Sequence, residues 1–344
     1  MLQLRHAVSE LPFQYPFTIS KGTKTHQKSL VVELVWGPGI RAYGEAPAIS
    51  YYDITVEKMQ EDLEAKRKFV ESFSFMDPKR FWHLLHHLFP KNPFLVSALD
   101  MAGWDLYGKM KRKPLYELWN LDPTKSPPTD YTIGIDSLEV MIKKIEEHPS
   151  PIYKIKLGHE GDLEKLIQIR KQTTSIIRID ANAGWSLEQA VNMLPVLEGL
   201  GIELIEQPLA KDDFEATAKL KAMTQIPIIA DESCVGMMDI EKCKDVFSGI
   251  NIKLTKCSGI TPAMEMIKKA RGYDLKVMLG CMNESTLGTA ALAHLAPMVD
   301  YLDADGPMLL KEDIAVGLEM ESHKWVPKAK PGLGIEMQMG KVFG

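Results

Sequence analysis

The 344-residue sequence predicts an α/β protein: a TIM-type (β/α)8 barrel carrying an N-terminal α+β cap. Three observations predict it. Eight short runs of β-formers begin at intervals of 21 to 26 residues between positions 131 and 303. Most are separated by an amphipathic segment long enough for one helix, and eight strand–helix units of this size close a compact barrel. The first 120 residues follow another pattern, strands joined by a Gly-Pro-Gly turn and then helices.

In the cap, residues 30–36 and 40–45 read as two strands of a hairpin around Gly37-Pro38-Gly39. Helical patterns follow over 56–70, 78–88 and 96–107, the last apolar on most of its circumference. Pro123 and Ser126-Pro127-Pro128 make a stiff connection. The expected division is therefore a cap over 1–121, a barrel over 122–316, and an irregular Gly- and Pro-rich segment, 317–344, returning to the cap. The predicted barrel strands are 131–135, 152–156, 176–180, 202–206, 228–231, 250–254, 276–279 and 299–303. A doubly wound open sheet is the alternative, but no Gly-x-Gly-x-x-Gly turn supports it.

Composition excludes several functions. The net charge of −5 offers no general attraction to nucleic acid or to an anionic membrane. No apolar stretch is long enough to span a bilayer. Cys234, Cys243, Cys257 and Cys281 form no C-x-x-C pair, and the first residues lack a secretory leader's apolar run, so a reducing, cytoplasmic location is expected.

Barrel active sites form at the C-terminal ends of the strands. Lys154 and Lys156 end the second strand and share a face. Asp180 ends the third, Glu206 the fourth and Asp231 the fifth, with Glu232 beside Asp231 as the alternative acid. Lys253 lies in the sixth, and Asp303 and Asp305 close the eighth. Three carboxylates in one barrel mouth cannot all stay ionised without a counter-ion. An all-oxygen set favours Mg2+, with Mn2+ as the alternative, over zinc. By strand order, Lys156 and Lys253 stand on opposite sides of such an ion. That arrangement suits 1,1-proton transfer through an enediolate: one lysine removes an α-proton and the other returns one to the opposite face. A Schiff-base aldolase acting through Lys253 would give the three acids no task.

These residues carry a resemblance. Lys154-Ile155-Lys156, Asp180-Ala181-Asn182, Glu206-Gln207-Pro208, Asp231-Glu232-Ser233 and Asn251-Ile252-Lys253, together with Gly44-Glu45-Ala46 in the cap, resemble the muconate-lactonising-enzyme subgroup of the enolase superfamily. One departure is Ile260 after Gly259, where the subgroup has a second glycine. Asp303-Ala304-Asp305 is similar to the D-x-D of the dipeptide epimerases, whose carboxylates bind the substrate's α-ammonium group. The resemblance implies a Mg2+-dependent epimerase acting on the C-terminal residue of a dipeptide, and a homo-oligomer. It makes Lys156 and Lys253 catalytic, Asp180, Glu206 and Asp231 metal ligands, and Lys154, Asp303 and Asp305 substrate-binding. Side-chain specificity is expected from a cap loop over 18–26. There Gly22 stands where glutamate-specific members place arginine, and Lys21 and Lys24 flank it. The alternatives are a cycloisomerase or o-succinylbenzoate synthase of the same subgroup, or a barrel that binds an amine without turnover. His83, His86 and His87 read as a solvated helix face, and Cys281 as a buried spectator thiol near the mouth.

Overall fold

The computed structural model describes residues 2–37, 39–158 and 161–343. The chain opens with an antiparallel sheet of β1 (Leu2–Ile19), β2 (Gly22–Trp36) and β3 (Ile40–Pro47), in that order. Of the expected β2–β3 turn, Pro38 lies outside the described residues, while Gly37 and Gly39 hold φ of 58° and 120°. Both strands of the sequence-based hairpin are present, but β2 is twice the expected length and β1 was not foreseen. The supposed cap loop over 18–26 is the end of the β1–β2 ribbon, in which Phe17 pairs with Lys24 and Ile19 with Gly22.

Strand β2 separates two cores. Leu30, Val32 and Leu34 pack into the cap, and the intervening Val31 packs into the barrel core, as side-chain alternation requires. Helices α1 (Val56–Glu71), α2 (Pro78–Leu88) and α3 (Pro93–Lys111) cover the sheet. Each starts on a side-chain cap, Thr55, Asp77 or Asn92, that accepts a backbone N–H of the first turn. Helix α3 is buried on nearly every side, and Gly44 of β3 lies so close to it that a Cβ would overlap the Ala98 carbonyl.

The barrel strands are β4 (Tyr131–Ile133), β5 (Ile152–Lys156), β6 (Ile176–Asp180), β7 (Ile202–Glu206), β8 (Ile228–Ala230), β9 (Gly249–Lys253), β10 (Lys276–Gly280) and β11 (Tyr301–Asp303). They pair in parallel and in sequence order. A parallel bridge between Thr129 and Leu302 closes β11 onto the start of β4, which rules out the open sheet. Leu204, Ile229 and Met278 fill the interior beside Tyr301. No helix is long and apolar enough to cross a membrane among the described residues.

The C-terminal segment is less irregular than expected. Ala315–Val316 pairs with Glu336–Met337, and Leu318–Glu321 with Lys324–Pro327. Strands of two to four residues leave no periodicity to read. Tyr43 of β3 donates to Met339 Sδ at 3.5 Å, and Asp105 of α3 accepts from Leu333 N at 2.9 Å. Fully buried His294 accepts from Tyr116 N at 3.2 Å through Nδ1, while Nε2 lies 3.2 Å from the Leu333 carbonyl, so the neutral Nε2–H tautomer ties three segments together.

Burial lowers the His294 pKa from 6.5 to about 4. Between those values the unfolded chain binds the extra proton, so stability falls as pH drops through this window, by up to about 3 kcal/mol. Urea unfolding of the wild type and of His294→Gln between pH 7 and pH 4 checks this. The variant is expected to lose less stability than the wild type over that range.

Candidate active site

Register brings the polar strand ends together. Lys156 pairs with Asp180, and Asp180 with Glu206, across β5, β6 and β7. Asp231 follows the last residue of β8. On the far side, Gly280 pairs with both Lys253 and Asp303. In an eight-stranded barrel, β5 and β9 lie opposite one another. Lys156 and Lys253 therefore enter one cavity from facing walls, which Asp303 and Asp305 also line.

These charges are buried and must be paired. Lys156 Nζ donates to Asp180 Oδ2 at 2.5 Å, and Lys253 Nζ to Asp231 Oδ2 at 2.8 Å. Lys154 Nζ lies 2.6 Å from Asp303, 2.7 Å from Glu206 and 3.4 Å from Asp180. Burial alone would lower the Lys154 pKa; the surrounding carboxylates outweigh it and raise it. Burial, then the charge of Asp180, pushes Glu206 up to about 7. Asp180 is drawn down to about 2, because Lys156 and Lys154 outweigh its burial. Lys253 and Lys256 likewise hold Asp231 well below the usual carboxylate range.

Lys154, expected to touch substrate, stands behind the cavity wall, where its ammonium links Asp303 to Glu206 and Asp180. Asp305 accepts from Thr132 N at 2.6 Å and faces the Cys281 thiol at 3.7 Å. Burial and the neighbouring Asp303 raise its pKa to about 6. Asp231 and Glu232 point apart: Asp231 faces Lys253, and Glu232 accepts from Lys21 of the cap at 2.9 Å. Lys21 also lies over the Tyr51 ring at 4.5 Å, so it latches the ribbon tip across the mouth. Lys24 lines the same cavity and donates to Gln27 at 3.3 Å, and burial lowers its pKa. Met282 and Asn283 line the cavity beside Cys281, while Glu284 turns back to accept from Met282 N at 2.6 Å. On α2, His83 and His86 each meet the ring of His87 edge-on, away from the cavity lining.

Several supporting residues escape a reading by strand ends. Asn251 donates to Glu206 Oε1 at 2.8 Å. Gln207 accepts from the backbone N–H groups of Asp231 and Ser233, each at 3.0 Å, tying β7 to β8. Lys256, in the turn after β9, grips Asp231; its only signal was its three-residue spacing from Lys253. Arg178, one layer below Asp180, pairs with Asp130 at 2.9 Å. The missing second glycine has a structural reason. Gly259, at φ 128°, passes so close to Asp100 that a Cβ would overlap its carboxylate, whereas Ile260 starts a helix and is buried in the core.

The residues present fit a divalent cation. Asp180, Glu206 and Asp231 form an all-oxygen set that is almost wholly buried; Asp231 raises the pKa of both others, and Asp180 that of Glu206. Glu206 Oε2 is buried and accepts no hydrogen bond among the described residues; it is met by the Lys154 ammonium, at 2.7 Å, as an ion pair. A second group is more compact: the donor atoms of Cys281, Asp303 and Asp305 lie within 4.8 Å of one another. Its carboxylates are already engaged by Lys154 and by the Thr132 N–H.

Residues 3–119 match the mandelate racemase/muconate lactonizing enzyme N-terminal domain, and residues 139–341 match the enolase C-terminal domain-like family. An L-Ala-D/L-amino acid epimerase of Flavobacterium johnsoniae is 45% identical over 311 residues, 90% of this chain and 92% of that protein. The substrate-liganded L-Ala-D/L-Glu epimerase of Bacillus subtilis superposes with a TM-score of 0.91 at 29% identity, covering 97% of this chain and 98% of the other. A Cytophaga hutchinsonii dipeptide epimerase with Mg and D-Ala-L-Val gives 0.90 at 28% identity, covering 98% and 96%.

Removing Lys154 leaves buried Asp303 and Glu206 without their counter-ion, while Asp180 keeps Lys156. Lys154→Met is expected to lose about 3–5 kcal/mol of stability at pH 7, read by urea unfolding. Adding Asp303→Asn should restore part of the loss. A stable single variant would show that Lys154 is not the counter-ion.

Proposed function

The chain belongs to the enolase superfamily, and from that premise we propose that it is a magnesium-dependent dipeptide epimerase. It inverts the α-carbon of the C-terminal residue. The observation that carries this reading is the pair of lysines, Lys156 and Lys253, on facing walls of one cavity.

Asp180, Glu206 and Asp231 are the residues that would hold the cation. When bound, a divalent ion supplies the positive charge that an enediolate needs and competes with the lysines for the same acids. Lys156 and Lys253 then act on the two faces of the α-carbon. The neutral lysine on one face takes the α-proton and becomes an ammonium. The ammonium on the other face delivers a proton to the planar carbon, and the configuration is inverted. Each lysine exchanges its role in the reverse direction, so both epimers are substrates.

Asp303 and Asp305 supply the carboxylates for the dipeptide's free α-ammonium. Lys154 holds Asp303 from behind and so orients it. A cycloisomerase or o-succinylbenzoate synthase has no ammonium for this pair. The tip of the β1–β2 ribbon, with Lys21 and Lys24, closes the cavity on the side-chain end of the substrate.

Incubation of an L-Ala-L-X dipeptide panel in D2O tests this reading. The expected result is one deuterium at the C-terminal α-carbon and formation of the L,D epimer. EDTA is expected to abolish it, and Mg2+ or Mn2+ to restore it. Asp303→Asn is expected to lower kcat/KM for free dipeptides by 100-fold or more, on the order of a lost charge-assisted contact made to a buried site. Absence of exchange across the panel with Mg2+ present would refute the assignment.

A further inference from the structure

Lys256 belongs to neither the cavity wall nor the proton-transfer pair, yet it is among the most completely enclosed cations in the chain. Its residue is 3% exposed. It sits on the short turn Leu254–Cys257 directly after β9, and its Nζ points back toward the end of β8. There it donates to Asp231 Oδ1, to the Asp231 carbonyl at 2.7 Å, and to the Cys234 and Asn251 carbonyls at 3.3 Å each. One ammonium thus fixes an aspartate at its side chain and main chain at once, and ties it to two neighbouring segments.

The two oxygens of Asp231 consequently differ. Oδ1 is turned toward Lys256, away from the cavity. Oδ2 lies toward the cavity-lining Lys253 at 2.8 Å. A carboxylate restrained in this way offers one oxygen to the mouth. Calcium takes six to eight oxygens and readily accepts both from one carboxylate; magnesium takes six at short, near-octahedral distances. Groups behind a ligand that set its orientation change metal affinity by roughly 10- to 100-fold.

We propose that Lys256 is a positioning residue that makes Asp231 a one-oxygen donor and thereby biases the centre toward a small six-coordinate cation over calcium. The inference rests on the reading of Asp231 as a cation ligand. It concerns the ratio of two affinities. Removing a nearby positive charge strengthens binding of both divalent ions alike, and that effect cancels in the ratio.

Titration calorimetry of the full chain with Mg2+ and with Ca2+, each alone, tests it. The wild type is expected to bind Mg2+ at least tenfold more tightly than Ca2+. In Lys256→Met the ratio is expected to shift toward Ca2+ by about tenfold. Lys256→Arg, which keeps the charge and more than one donor, is expected to stay within threefold of the wild-type ratio. A wild type that binds both ions equally overturns the inference even if Lys256→Met does not fold. An unchanged ratio in folded Lys256→Met overturns it too, while leaving the assignment of Asp231 intact. A wild type that binds neither ion removes both.

Discussion

Buried charge is the constraint on which this structure turns. Lysines and acids at the ends of adjacent strands are withdrawn from water, and each is tolerable only beside its opposite. Parallel register provides this: a strand ending in Lys156 sets it level with Asp180, and Asp180 level with Glu206. Lys154, two residues earlier on the same face, reaches past β4 to Asp303 at the end of β11. A shift of one residue in any of these strands would turn its charged end out of the cavity. The network that neutralises the site therefore also specifies the barrel's register.

The cap does more than cover the mouth. Glu45 of β3 is fully buried and accepts from Ser285 N, at 3.2 Å, and Gly288 N, at 3.1 Å, at the start of the barrel helix Thr286–Leu295. It thereby occupies N–H groups left open at the helix N-terminus, while burial raises its pKa. Asp100 of α3 accepts from Thr261 N at 2.9 Å and Thr261 Oγ1 at 2.7 Å, and Trp82 of α2 donates to the Ser258 carbonyl at 3.0 Å. The loop that follows Lys253 and Lys256 is thus held from outside the barrel. The Gly44-Glu45-Ala46 signature acquires a physical meaning: glycine for close approach to α3, glutamate to bind the barrel helix.

Much of this was legible in the sequence, for reasons that separate residue by residue. Barrel strands such as Ile152–Lys156 and Ile202–Glu206 announce themselves because short runs of β-formers recur at a regular interval and end on a charge. Among the cap helices, apolar spacing marks 78–88, and a run apolar on most of its circumference marks 96–107, which lies within the longer helix Pro93–Lys111. Strand β1 did not, because the alternation of buried Leu2 and Leu4 with exposed neighbours lapses over His6–Val8 and the register shifts between Pro12 and Phe17. The depth of Lys154, behind the cavity wall, was not legible, because alternation shows which face a side chain takes but not how deep it lies. Lys256 was invisible because its partners, a carboxylate and three carbonyls, come together only when β8 and β9 are side by side.

The central claim is that two lysines address opposite faces of one carbon. Single-turnover deuterium exchange, measured separately from the L,L and the L,D dipeptide, tests it most directly. Lys156→Ala is expected to abolish proton removal from one epimer while the other still washes out its α-proton, and Lys253→Ala is expected to show the reverse. Loss of exchange from both epimers in one variant, with the other variant unaffected, would mean that a single base serves both faces, and the two-wall account would be wrong.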